Sequence, residues 1–204
     1  MLTLHHSPAS PYARKVTIVL HETGQEGQVT IAPAAGSPVD PGTMPVGTNP
    51  LGKIPALERP DGCTLYDSRV ICRWLAERAG SPLYPTGNRL YESLTLEATG
   101  DGMMDAALLT RYETFLRPEH LRWDDWANGQ WDKITRSLDA IESRWTGHLA
   151  GPFCIGQVSV IAALGYLDFR FADRDWRQGR PALADWAARM AERPSVKATV
   201  PPPA

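Results

Sequence analysis

Residues 49–69 read NPLGKIPALERPDGCTLYDSR. Two short strands, the turn between them and the start of a helix are written in this one run. Ile54-Pro55 lies between a glycine-containing turn, Leu51-Gly52-Lys53, and the apolar pair Ala56-Leu57. Proline has no N–H to give a sheet ladder, so it marks a sheet edge or the first residue of a strand. Arg59-Pro60-Asp61-Gly62 is a hairpin signal, because proline presets φ and Asp-Gly tolerates the dihedrals of a tight turn. Cys63-Thr64-Leu65-Tyr66 reads as the returning strand, and Asp67-Ser68 caps a helix whose apolar residues Val70, Ile71, Trp74 and Leu75 fall at helical spacing. The predicted β-β-α unit has an edge proline at one end and a bare helix N-terminus at the other. At both places backbone groups are able to face a ligand.

Upstream, Leu2-Thr3-Leu4 is an opening strand, HHSPA a turn, and Ser10-Pro11 an N-cap followed by proline at the first helical position. Val16, Val19 and Leu20 repeat on one face up to Gly24, and Val29-Thr30-Ile31 is a second strand. A strand, a helix and a strand in that order predict a parallel pair. Residues 33–48 are rich in proline and glycine and read as irregular.

Downstream, GSPLYPTG at 80–87 carries no strand pattern, and helical periodicity follows it. The spacing predicts helices over 88–116, 120–148, one opened by Ser159, and a last one over 181–192, with VPPPA as a tail. In the second of these, Trp131, Ile134, Leu138, Ile141, Trp145 and Leu149 step by three and four along one face. The expected organisation is an α/β domain over 1–80 with a mixed four-stranded sheet, a linker over 81–87, and an all-α bundle over 88–204.

The 204 residues are 43% hydrophobic, enough for a sizeable core. With 21 basic and 23 acidic residues the net charge is −2, so the basic footprint of a nucleic-acid binder is absent. MLTLHHSPASPYARK lacks the apolar core of a signal peptide, and no apolar run approaches 18 residues. A cytoplasmic protein without membrane contact is expected. Cys63, Cys72 and Cys154 are odd in number and widely spaced. They offer neither a disulfide framework nor a metal spacing, and buried free thiols are the expectation at Cys63 and Cys72.

Three motifs in this order, each at a predicted turn or helix start, resemble the glutathione transferase superfamily. They are Ser10-Pro11-Tyr12-Ala13-Arg14-Lys15-Val16, Asn49-Pro50-Leu51-Gly52-Lys53-Ile54-Pro55-Ala56-Leu57 and Asp67-Ser68-Arg69-Val70-Ile71. The resemblance implies a thioredoxin-like N-terminal domain, a helical C-terminal domain, glutathione as co-substrate without a metal, a homodimer, and transfer of the glutathione thiolate to a small hydrophobic electrophile; the alternative is a glutathione-binding or partner-binding protein of the same fold with little or no turnover. One departure from the family pattern stands out. The family opens its buried second-domain helix with Ser/Thr-x-x-Asp, whereas here Ser159 is followed three residues later by Ala162, so the box lacks its reciprocal half.

The resemblance also implies residue roles. Ile54-Pro55 corresponds to a cis-proline, with the Ile54 backbone pairing the cysteinyl unit like an added strand. Ser68 at the helix start would bind the γ-glutamyl carboxylate and Asp67 would accept from the ammonium. Ordinary N-capping accounts for part of that pattern. Lys53 is either an exposed turn lysine or a partner of the glycyl carboxylate. Ser10 is the candidate that stabilises the thiolate, since it occupies the position before Pro-aromatic. Ser7 and Tyr12 are its rivals. Tyr12, Met104, Leu108 and Tyr112 are candidates for the second-substrate pocket, and Asp101 and Asp105 share a helix face with the last two.

Overall fold

The computed structural model describes residues 1–202. In chain order the elements are β1 (Leu2–His6), α1 (Pro11–Glu22), β2 (Val29–Pro33), β3 (Ala56–Glu58), α2 (Ser68–Arg78), α3 (Asn88–Phe115), α4 (Asp124–Arg144), α5 (Thr146–Leu149), α6 (Ile155–Arg170), α7 (Pro181–Ala191) and α8 (Pro194–Lys197). They form two compact units, 1–85 with 194–202 and 86–193. The helical stretch expected over 88–204 therefore ends earlier, and its last segment returns to the first unit.

In the first unit the sheet order is β2-β1-β3. β1 is parallel to β2, with Leu2 opposite Val29 and His6 opposite Pro33. It is antiparallel to β3, with Thr3 opposite Glu58 and His5 opposite Ala56. Leu4, Val16, Val19, Leu57, Ile71 and Leu75 are fully buried, each contributing roughly 1.5–3 kcal/mol. The C-terminal segment is tied to α1, where Arg14 Nη2 donates to the Val196 carbonyl at 3.4 Å and the Ser195 hydroxyl bonds the Glu22 carboxylate.

The fourth strand expected at Cys63–Tyr66 is reduced to a single bridge between Leu57 and Leu65, with both N–H···O bonds at 2.9 Å. The ladder stops on both sides for a physical reason. On one side the next donor would come from Pro55, which has no N–H. On the other, the Cys63 carbonyl accepts from Arg59 Nε at 3.0 Å instead of from backbone. Cys63 is accordingly exposed, contrary to expectation, while Cys72 is buried.

The helical unit is built on α3 and α6. A Cβ on Gly100 would lie 2.5 Å from Ser159 Oγ and 2.7 Å from the Ser159 carbonyl carbon, and one on Gly156 would lie 2.7 Å from the Ser93 carbonyl oxygen. The contacts advance together in number, so the two helices run parallel. Ser159 does not open its helix. It lies in the second turn of α6, with Oγ 3.0 Å from the Glu97 carbonyl oxygen and 2.7 Å from Asp101 Oδ1. The N-cap is Cys154, whose N–H donates to Gln157 Oε1 at 3.1 Å. The reciprocal residue of the box, Gln157, is thus present, five residues before the position the sequence suggested it was missing from. Similarly, the helix expected over 120–148 is broken into α4 and the short α5.

Gly100→Ala is expected to destabilise the protein by about 1–3 kcal/mol, because the methyl meets backbone on α6. Gly102 has nothing within 4 Å of a built Cβ, so Gly102→Ala is expected to stabilise by roughly 0.5–1 kcal/mol. Urea-unfolding midpoints of the two variants check the pair.

Candidate active site

The sheet register brings the three motifs to one end of the first unit. β1 finishes at His6 and leads through a turn to Ser10, while β3 enters beside it, Ala56 opposite His5. The segment bridged at Leu57–Leu65 runs antiparallel to β3 and so returns Asp67 to the same end. Because β1 and β2 are parallel, this is also the carboxyl end of both, where α/β sheets place their ligands.

Ser10 is the N-cap of α1 and is half-buried. Its Oγ accepts the Ala13 N–H at 3.2 Å, and its own N–H donates to the Ser7 carbonyl at 3.0 Å. The cap uses the oxygen as an acceptor and leaves the hydroxyl proton to donate. Ser7 accepts the Ala9 N–H at 3.4 Å and is likewise able to donate. Tyr12 is half-buried.

The 49–55 turn is held by Asn49, whose role the motif spacing did not reveal. Asn49 is almost wholly buried. Its Nδ2 donates to the Lys53 carbonyl at 2.8 Å and its Oδ1 accepts the Leu51 N–H at 3.1 Å. Asn before proline is a turn signal, and that was the available clue. Gly52 takes φ 58° inside this turn, a conformation glycine adopts without penalty. The Lys53 side chain is exposed. The Ile54-Pro55 peptide is cis, and so is Tyr66-Asp67. Neither the N–H nor the carbonyl of Ile54 has a hydrogen-bond partner among the described residues.

At the start of α2, Asp67 Oδ1 caps the Arg69 N–H at 3.0 Å. Ser68 is only 2% exposed, yet its hydroxyl has no hydrogen-bond partner among the described residues. Its oxygen and proton are both free to bond a ligand at that helix end.

In the helical unit Leu108 and Tyr112 are half-buried, whereas Met104 is fully buried. Asp101 is buried against Ser159 and Asp105 is exposed. Burial raises the Tyr112 hydroxyl above its usual range. Burial also raises Tyr166, helped by Tyr112 and opposed by the Arg170 and Arg111 guanidinium groups. Among the described residues no cluster of three or more His, Cys, Asp or Glu side chains is able to hold a metal ion.

Residues 9–78 match the family model described as glutathione S-transferase, N-terminal domain, and residues 124–189 the one described as its C-terminal domain. An uncharacterized GST-like protein of Escherichia coli K12, YibF, is 31% identical over 97% of this chain and 98% of its own length. The chain belongs to the glutathione S-transferase family. Among solved structures, a family member from Pseudomonas fluorescens Pf-5 with bound glutathione is 49% identical, with a TM-score of 0.96 over 99% of this chain and all of that one. A structure from the same organism holds S-(propanoic acid)-glutathione and is 48% identical, with a TM-score of 0.92 over 99% of this chain and 100% of that one. The family's N-terminal model spans Ser10, the 49–55 turn and Asp67-Ser68, the same segments that the sheet register gathers at one end.

His6, at the end of β1, has a pKa lowered by burial. The folded protein then binds this proton more weakly than the unfolded chain does. Its contribution is intact above the ordinary histidine pKa and is lost as pH falls below about 6.5, where the unfolded state begins to take up the proton. His6→Gln is therefore expected to flatten the stability–pH curve below pH ~6.5. Denaturant unfolding at closely spaced pH values checks this.

Proposed function

We propose that the protein is a glutathione transferase that conjugates the glutathione thiolate to a small hydrophobic electrophile. The observation that carries the reading is the partnerless Ser68 hydroxyl at the start of α2, at the same sheet end as the partnerless backbone groups of Ile54. Glutathione offers a carboxylate and an ammonium at one end, a peptide backbone in the middle and a second carboxylate at the other. Ser68 and the α2 N-terminus suit the γ-glutamyl carboxylate, and Asp67 suits the ammonium. The Ile54 N–H and carbonyl suit the cysteinyl backbone, with Pro55 fixing the start of the strand behind it. Lys53, in the same turn, suits the glycyl carboxylate. Glutathione in the Pseudomonas fluorescens relative, and a propanoic acid group on its sulfur in the second structure, support glutathione as the ligand and its sulfur as the reacting atom.

Ser10 is assigned the thiolate. A thiol of pKa near 8.5 is mostly protonated at neutral pH, and the thiolate is the nucleophile. A hydroxyl that caps through its oxygen retains its proton for the sulfur, and a charge-assisted hydrogen bond is worth about 1.5–3 kcal/mol. In the reaction the thiol proton leaves to solvent and the sulfur bonds to the electrophilic carbon. The bond to the leaving group breaks with its electron pair. Tyr12, Met104, Leu108 and Tyr112 are assigned to the electrophile. The homodimer and the cytoplasmic detoxifying role implied by the resemblance belong to the same proposal, and light scattering of the purified protein reads the dimer.

Ser10→Ala is expected to lower kcat/KM with 1-chloro-2,4-dinitrobenzene by roughly 10- to 100-fold, the loss of one hydrogen bond to a charged sulfur. Ser7→Ala, the matched control, is expected to change it less than twofold. Ser68→Ala is expected to weaken glutathione binding about tenfold, read by calorimetry. Binding that survives Ser68→Ala undiminished, or turnover that survives Ser10→Ala, removes the corresponding assignment.

A further inference from the structure

The parallel register of α3 on α6, set by Gly100 against Ser159, carries Arg111 to the level of Arg170 when the same spacing is continued. Both guanidinium groups are half-exposed. Each lies over an aromatic ring, Arg111 4.0 Å from the Phe115 centroid and Arg170 4.0 Å from that of Phe169. Tyr166, 4% exposed, feels the charge of both guanidinium groups and the Tyr112 phenol. Neither arginine has a carboxylate within ion-pairing distance among the described residues. The nearest acids in sequence are committed elsewhere. Glu113 takes Arg117 and the Trp123 N–H, both at 2.8 Å. Asp168 takes Arg177 at 2.6 and 2.9 Å and Trp176 Nε1 at 2.8 Å. Two guanidinium groups without a carboxylate partner and two phenols therefore share one end of the α3–α6 pair, with Tyr166 sensing the other three. Leu108 lies on α3 three residues before Arg111, about 4.5 Å along the axis.

We infer that the α3–α6 end of the helical unit binds an anionic group through Arg111 and Arg170, and that the second substrate is an electrophile with an apolar body and a carboxylate remote from the reacting carbon. Arginine suits this task because its planar donors match a carboxylate two at a time and its aromatic stacking fixes the fork in place. Tyr112 and Tyr166 add neutral donors beside them. Leu108 supplies apolar surface one turn short of the charges, which matches an aryl or short alkyl body ending in an acid. The inference rests on the transferase reading for the reaction, but the anion site stands or falls by itself.

The test compares 3,5-dinitrobenzoate with 3,5-dinitrobenzamide, a pair that differs in charge and lacks a leaving group, by calorimetry on the whole protein. The acid is expected to bind about tenfold or more tightly than the amide. R111Q/R170Q is expected to erase that advantage while leaving amide binding unchanged, and R111K/R170K to keep part of it. Equal affinity of acid and amide in the unaltered protein, or an advantage that survives R111Q/R170Q, overturns the inference. Glutathione binding measured in the same samples reports on the transferase reading separately. Preference for the acid without glutathione binding removes that reading and leaves the anion site. Glutathione binding without preference for the acid does the reverse. With 4-chloro-3,5-dinitrobenzoate and its amide as substrates, the kcat/KM ratio is expected to fall about tenfold or more in R111Q/R170Q, with the amide's kcat/KM held within twofold.

Discussion

One strand carries the arrangement of the first unit. β1 pairs in parallel with β2 and antiparallel with β3, so the exit of β1, the exit of β2 and the entry of β3 are forced to a common end. Every connection that must leave or arrive there is irregular: the Ser7–Ser10 turn, the proline-rich stretch after Pro33 and the 49–55 turn. A helix packed on the sheet must then start at that end too, because the short segment bridged at Leu57–Leu65 runs back antiparallel to β3. Backbone left outside the ladder at one end is thus a consequence of the pairing pattern.

Pro55 terminates the Leu57–Leu65 bridge by withholding an N–H. The N–H and carbonyl of Ile54, one residue earlier, lie beyond the last β1–β3 pair, His5 with Ala56, and stay outside any ladder. Asn49 belongs to the same economy of hydrogen bonds: by taking the Lys53 carbonyl and the Leu51 N–H, it satisfies the turn internally and leaves Ile54 as the residue with backbone to offer.

The features legible in the sequence were those with local causes. Ser10-Pro11, Asp67-Ser68 and the apolar spacing of α1 and α2 announce themselves because capping and periodicity act over a few residues. The misreadings came where a partner distant in sequence decided the outcome. Ser159 looks like a cap, but its hydroxyl is held by Glu97 and Asp101, more than fifty residues away in sequence. Cys154 is the actual cap although cysteine is not a favoured one. Cys63 looks like a strand residue, yet the Arg59 guanidinium occupies its carbonyl. The role of Asn49 was hidden for a different reason. Its bonds are local, but an Asn-Pro pair signals only a turn and not which backbone groups the turn will satisfy.

The helical unit shows how a constraint at one end of a helix pair sets chemistry at the other. Gly100 and Gly156 are small because α3 and α6 approach too closely there for a Cβ. That contact fixes the register of both helices along their length, since a shift by even one residue would bring side chains into backbone. Continued along the pair, that register brings Arg111 and Arg170 to the same level at the far end, with their neighbours Glu113 and Asp168 turned to other partners. Packing at the glycines is intolerant of change, whereas the residues at the open end are half-exposed and touch no such limit. A helix pair built this way is able to keep one register while the side chains at its open end are exchanged, because the constraint on the register sits at the glycines and not at that end.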